Sequence, residues 1–111
     1  MALFRYSTGK DNFYVELGWE GMSYSNSPIH LAITQKDQSG TFNKIEEFPA
    51  ITYDKTQSKT GYTFKSSLGD LTVKWGTVFW IISVIQVFLN GSKLDGGEII
   101  NIEGVTSGKY V

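Results

Sequence analysis

Cysteine is absent from this 111-residue chain, and histidine and arginine each occur once. Without thiols there is no disulfide framework, no thiolate zinc site and no cysteine nucleophile. A single imidazole, His30, cannot supply the histidine pair of a catalytic metal centre. Charge of one sign is missing too: ten Lys and Arg stand against eleven Asp and Glu, a net charge of −1. No broad electrostatic pull on nucleic acid or anionic lipid is expected. Long apolar runs are also lacking. The longest, 78–89, carries Ser83 and Gln86 and falls short of the roughly 20 residues of a membrane-spanning helix. The first six residues lack the basic lead and apolar core of a secretory signal. A soluble chain without a membrane span is therefore expected, with cytoplasmic and exported locations both open.

What is present reads as β structure. Short runs of aromatic and β-branched residues alternate with clusters of Gly, Asn, Asp, Ser and Pro. The pattern predicts strands over 2–6, 13–17, 29–34, 50–53, 61–66, 71–75, 77–89, 98–103 and 108–111, with turns at 7–12, 23–28, 36–40, 54–61 and 90–97. The segment 40–47 is left as irregular structure, ended by Pro49. Leu71-Thr72-Val73-Lys74-Trp75 and Tyr62-Thr63-Phe64-Lys65 alternate apolar and polar, as strands with one wet face do. The run 78–89 is apolar on both faces, and its Val, Ile and Phe favour strand over helix. The length suits one domain over 1–111. The expected fold is an all-β antiparallel β-sandwich, Ig-like or jelly-roll-like. A strand apolar on both faces requires a second cover, and a second copy of the chain is one way to supply it.

Catalytic chemistry is thin. His30 lies opposite Ile29, Leu31 and Ile33 and so belongs to the solvent face of its strand. Carboxylates come in near-pairs, Glu16 with Glu20, Glu46 with Glu47, and Asp95 with Glu98. Glycoside hydrolysis requires two carboxyls facing each other across a cleft, and adjacent Glu46 and Glu47 diverge if extended. Asp95 and Glu98 lack the spacing of a calcium loop, so a hairpin turn is the simpler reading. Asn90-Gly91-Ser92 fits the glycosylation triplet and equally a tight turn. Lys55, Lys59, Lys65 and Lys74 lie near aromatics, but Asp54 and Asp70 interrupt them and no nucleic-acid stripe forms.

Aromatics beside polar turns carry the positive signal. A pyranose offers an apolar C–H face and equatorial hydroxyls, matched by a ring and a few amide or carboxylate groups. Trp19-Glu20, Tyr24-Ser25-Asn26 and Tyr53-Asp54 supply that combination, with Tyr62 and Trp75 further along. The expected ligand-binding set is thus Trp19, Glu20, Tyr24, Asn26, Tyr53, Asp54, Tyr62 and Trp75. The competing reading of each is packing at a strand end.

Several strings, in order, resemble those of the fungal immunomodulatory proteins. They are Ala2-Leu3-Phe4-Arg5, Trp19 with Gly21, Phe48-Pro49 with Asp54-Lys55, Tyr62-Thr63-Phe64-Lys65, Ile85-Gln86-Val87-Phe88 and Glu98-Ile99-Ile100. The resemblance implies a lectin-like Ig or fibronectin-type-III sandwich, glycan binding at cell surfaces, a homodimer and no enzymatic activity. That family's N-terminal segment is largely helical, whereas Gly9, Asp11 and Asn12 here read as a hairpin turn.

These readings converge on a non-catalytic, cofactor-free carbohydrate-binding protein that acts as a homo-oligomer on a glycan or cell-surface glycoconjugate. The alternative is a structural or protein-interaction subunit, of capsid or assembly type, using the 78–89 strand as interface. A third reading, a small enzyme, would rest on Glu16, Glu20 and Glu98.

Overall fold

The computed structural model describes residues 2–19, 28–52, 60–78, 81–94, 98–102 and 109–110. Alternation drives the architecture. In β1 (Ala2–Ser7), Phe4 and Tyr6 turn inward; in β2 (Phe13–Trp19), Val15 and Leu17 do; in β3 (Pro28–Lys36), Ile29, Leu31 and Ile33 do. Antiparallel register aligns Phe4 with Leu17 and Leu31, and Tyr6 with Val15 and Ile33. These rows form one apolar face. β4 (Phe42–Glu47) and β5 (Ile51–Thr52) pair with β3, and β10 (Glu98–Ile102) pairs with β1.

The second sheet repeats the device. β6 (Gly61–Ser66), β7 (Gly69–Val78) and β8 (Ile81–Leu89) form consecutive antiparallel neighbours. Inward pairs are Leu71 with Leu89, Val73 with Val87 and Trp75 with Ile85. β9 (Ser92–Lys93) and β11 (Lys109–Tyr110) pair with β8, the latter in parallel. The two apolar faces meet in a single core that also takes in Ile51 and Leu94. The chain is all-β, and its two sheets stack as a sandwich, as the alternation predicts. β1 to β4 and β6 to β8 are consecutive neighbours in their sheets, and β10 brings the chain back beside β1. The hairpin turn expected before residue 13 forms, with Gly9, Asp11 and Asn12 all at positive φ. β1 is thus an interior strand of its sheet.

Two expectations are corrected. The run 77–89 is not one strand. Val78 pairs directly with Ile81, so the chain reverses between them, and the run divides between β7 and β8. Neither Phe79 nor Trp80 is a turn-forming type, so composition carries no mark of the reversal; both lie outside the described residues. Within β8, Ile85, Val87 and Leu89 are buried whereas Gln86 and Phe88 are half-buried. Lys74 covers the Phe88 ring at 4.8 Å. That part of the run therefore has one core face and one partly wet face.

The segment 40–47 is also no irregular stretch, since it supplies strand β4. Lys44 pairs with Thr34, but Ile33 pairs with Glu46, so Ile45 is an extra, bulged residue. Ile45 is accordingly 47% exposed. The bulge re-aims Glu46 toward the second sheet. There the Glu46 carboxylate accepts from Ser67 N–H at 3.0 Å and Ser67 O–H at 2.9 Å.

Two turns are tied by side chains. Asp37 accepts from Ser39 O–H and N–H at 2.6 and 2.9 Å, from Thr41 N–H at 3.0 Å and from Asn43 at 3.0 Å. The Ser39 hydroxyl first, then Asn43 and the backbone amides, hold the Asp37 carboxyl at about 2. Asn90 and Gly91, both at positive φ, close the β8–β9 hairpin. The Asn90 side chain donates to Leu68 C=O at 3.0 Å and accepts from Asp70 N–H at 2.8 Å, bracing the neighbouring β6–β7 turn. Its amide is thus engaged in a turn, the simpler of the two readings of that triplet.

Gly69→Ala is expected to destabilise the fold by about 1–3 kcal/mol. Gly69 sits at φ +115°, and a Cβ there would overlap the Asn90 amide. Gly40→Ala, also at positive φ but facing open space, is expected to cost less. Urea unfolding of both variants checks the ranking. Asp37 also predicts an acid-sensitive contribution. Its carboxyl is lowered in the folded state from 3.8 to about 2, so its stabilisation is complete above the unfolded value and fades as pH falls through the folded one. Asp37→Asn should flatten the stability–pH curve between about pH 4 and 2, as read by denaturation at stepped pH.

Candidate functional site

The outer face of the first sheet carries a groove of about 480 Å³, within the size range of small-molecule clefts. Register explains it. One cross-strand row runs Arg5, Glu16, Ala32, Glu47; the next runs Leu3, Gly18, His30. Gly18 and Ala32 project almost nothing, so the sheet is left hollow between taller neighbours. Leu3, Glu16, His30, Lys44, Glu47 and Phe48 stand around that floor. A small-residue floor with a polar rim is the geometry of a ligand-binding depression rather than of a flat strand surface.

Two ion pairs flank the groove, and they differ in kind. Arg5 and Glu16 face each other across β1 and β2, with Arg5 Nε and a terminal guanidinium nitrogen 3.0 and 2.9 Å from Glu16 Oε2. Their side chains are only 17% and 13% exposed. The guanidinium also stacks on the Phe42 ring at 3.5 Å, and Tyr14 meets that ring edge-on at 5.0 Å. Thr34 O–H reaches the same Oε2 at 3.5 Å. Glu16 Oε1, by contrast, takes no hydrogen bond among the described residues. Glu16 is therefore a carboxylate fixed through Oε2. The second pair, Lys44 with Glu47 at 2.7 Å, is solvated, at 52% and 67% exposure. Hydrogen bonding to Glu47 raises the Lys44 ammonium above its usual value.

Glu46 and Glu47 diverge, one toward Ser67 and the other onto the groove face. His30 is exposed on the outer face, as its alternation predicts, and forms part of the groove lining. Among the described residues no three His, Asp or Glu side chains gather to hold a metal ion. Lys65 pairs with Asp70 at 2.7 Å on the second sheet and does not extend a basic stripe.

The sequence-predicted ligand residues fare unevenly. Glu20, Tyr24, Asn26, Tyr53 and Asp54 lie outside the described residues, as does the side chain of Trp19. Asp95 lies outside them too, together with the side chain of Glu98. Yet the points where these segments join the sheet come together. Trp19 ends β2 opposite Ile29, and Thr52 pairs with Pro28. The segments 20–27 and 53–59 therefore leave from one end of the first sheet, next to the Leu3–Gly18–His30 row. Tyr62 is 40% exposed on β6, in a ring series with Phe64 at 4.7 Å and on to Phe48 at 4.9 Å. Trp75 is 5% exposed and belongs to the core. The groove residues Glu16, Gly18, Ala32, Lys44 and Glu47 were not in the predicted set as ligand contacts. Glycine and alanine carry no chemical signal, and only register sets them beside Glu16.

Comparison with protein-family models, curated proteins and solved structures finds no match. The reading of the groove therefore rests on its own geometry.

Stability separates the two ion pairs. Glu16→Gln is expected to cost about 1–3 kcal/mol, because it leaves a largely buried guanidinium without its counter-charge. Lys44→Gln is expected to stay within about 0.5 kcal/mol, as exposed pairs do. Guanidinium titration of the two variants measures both. Equal effects would contradict the distinction.

Proposed function

We propose that the protein is a non-catalytic carbohydrate-binding module that takes a glycan into the groove on the outer face of the first sheet. One observation carries the reading: a groove floored by Gly18 and Ala32 is bordered by a carboxylate locked in place through Oε2, with no hydrogen bond to Oε1 among the described residues. A sugar ring lays its apolar face on such a floor while a pre-set acceptor takes its hydroxyls. An acceptor that need not be ordered on binding retains more of its hydrogen-bond energy. Both groove carboxylates are engaged by cations, an arrangement suited to recognition rather than to proton transfer.

The aromatic–polar segments 20–27 and 53–59 join the sheet beside the groove, which supports Glu20, Tyr24, Asn26, Tyr53 and Asp54 as additional contacts. Self-association belongs to the same proposal, since a shallow single site gains avidity when two are linked. The resemblance to fungal immunomodulatory proteins adds a cell-surface glycoconjugate as the proposed partner. The alternative, an assembly subunit using 78–89 as interface, would present a hairpin divided between β7 and β8 rather than one long strand.

Ala32→Phe fills the floor of the groove from an outward-facing strand position. It is expected to weaken glycan binding by at least about tenfold with the circular-dichroism spectrum retained. A glycan array followed by calorimetry on the hits reads this. Binding that survives the substitution at full strength would place the sugar elsewhere; an array without hits would remove the function itself. Light scattering of the same samples tests the oligomer.

A further inference from the structure

Independently of what the groove binds, we propose that Asn90 is a site of spontaneous deamidation held in check by the fold, and that its conversion to aspartate or isoaspartate irreversibly loosens the turn between β6 and β7. Of the five asparagines, Asn90 alone precedes a glycine. Gly91 has no side chain to shield its nitrogen, and no described atom lies within 4 Å of the place a Cβ would take there. Both residues are exposed to water. In the reaction the Gly91 backbone nitrogen loses its proton to hydroxide and attacks Asn90 Cγ. The N–Cγ bond forms, the Cγ–Nδ2 bond breaks, and ammonia leaves with a proton taken from water. Water then opens the cyclic imide at Cγ, giving aspartate, or at the Asn90 backbone carbonyl, giving isoaspartate. Nothing is oxidised or reduced, and water is the co-reactant.

The brake lies in where the amide is held. Asn90-Gly91 is the turn between β8 and β9, and Ser67-Leu68 is the turn between β6 and β7. Asn90 reaches from one to the other. Its backbone N–H donates to Asp70 C=O at 2.8 Å, its Oδ1 accepts from Asp70 N–H at 2.8 Å, and its Nδ2 donates to Leu68 C=O at 3.0 Å. The amide rests against Gly69, where a Cβ would overlap it. Closing the imide brings Cγ onto the Gly91 nitrogen and expels Nδ2, so the side-chain bonds to Asp70 and Leu68 must break first. Deamidation therefore starts from a locally opened state, and its rate follows the opening equilibrium. The product cannot restore the clamp. Aspartate has no N–H to give, so Leu68 C=O loses its donor and faces a carboxylate oxygen. Isoaspartate adds a methylene to the main chain within a two-residue turn. Ser67 of the braced turn also donates to Glu46, so the tie between the two sheets is loosened with it.

The test incubates the whole chain in mildly alkaline buffer, folded and in guanidinium chloride. Intact mass reports each exchange of amide for acid, and peptide mapping assigns it to a residue; isomerisation at Asp95-Gly96 leaves the mass unchanged. The folded chain is expected to deamidate at Asn90 at least about tenfold more slowly than the unfolded chain. Gly69→Ala, which crowds the amide out of its seat, should recover most of the unfolded rate while folded, whereas Gly40→Ala should not. Asn90→Asp should lower the midpoint of urea unfolding and speed the exchange of the Asp70 and Ser67 amide protons. Equal rates in the folded and unfolded wild-type chain, or full protection in folded Gly69→Ala, overturn the brake. An unchanged midpoint with unchanged amide exchange in Asn90→Asp overturns the loosening. Should Gly69→Ala fail to fold, the wild-type chain below its unfolding transition decides: a deamidation rate that climbs with denaturant supports opening of the clamp, and a flat one overturns it.

Discussion

Everything in this molecule depends on two apolar sheet faces being pressed together. Each sheet alone would expose a row of large side chains, and neither is wide enough to cover them by curling. Stacking buries Tyr6, Val15, Leu17 and Ile33 of one sheet with Leu71, Val73, Ile85 and Val87 of the other, all at most 1% exposed. That burial supplies the dominant favourable term of folding. It also dictates what the opposite faces can be. Once the odd positions of β3 are committed to the core, His30, Ala32 and Thr34 must point outward. The groove is the reverse side of the core.

The same commitment explains why the groove is rigid. Its floor is backbone already hydrogen-bonded on both sides within β2 and β3. Its acceptor, Glu16, is held by Arg5, and Arg5 is held by Phe42. A chain of contacts therefore runs from β4 through β1 to the carboxylate, with a ring stacked beneath a cation at 3.5 Å. Sites built on strands with side chains fixed this way are better defined than sites on loops. The edge of the sheet is treated differently. Ile45 is bulged out of β4, and Glu46 crosses to Ser67, so the free strand is kinked and tied to the other layer. A kinked edge is a poor template for further pairing.

Much of this was readable from particular residues. The alternation in Leu71-Thr72-Val73-Lys74-Trp75 and in Ile29-His30-Leu31 states which side chains go inward, because successive Cβ atoms must point to opposite faces. The turn at Asn90-Gly91 was readable because few other residues tolerate positive φ. The run over 77–89 was not. A string of Val, Ile and Phe is compatible with a long strand or with two halves of a hairpin, and nothing in Phe79-Trp80 marks the reversal. β4 was hidden for a related reason: its bulge shifts the alternation by one residue, so Phe42-Asn43-Lys44-Ile45-Glu46-Glu47 fits no single period. The aromatic–polar segments were visible as chemistry, but their common end of the sheet appears only when Trp19, Pro28 and Thr52 are set side by side.

Sequence alone thus determined the fold class, the inward residues of the regular strands and the solvent side of His30. These are local properties, written in a period of two and in the φ preferences of a few residues. Tertiary structure decided where the chain turns back within its most apolar stretch, which way Glu46 and Glu47 point, and that Gly18, Ala32 and Glu16 share one hollow. Those are matters of register between strands distant in the chain. A one-residue slip would leave every local preference satisfied and move the hollow away. Only the fit of two apolar faces selects one register over the next.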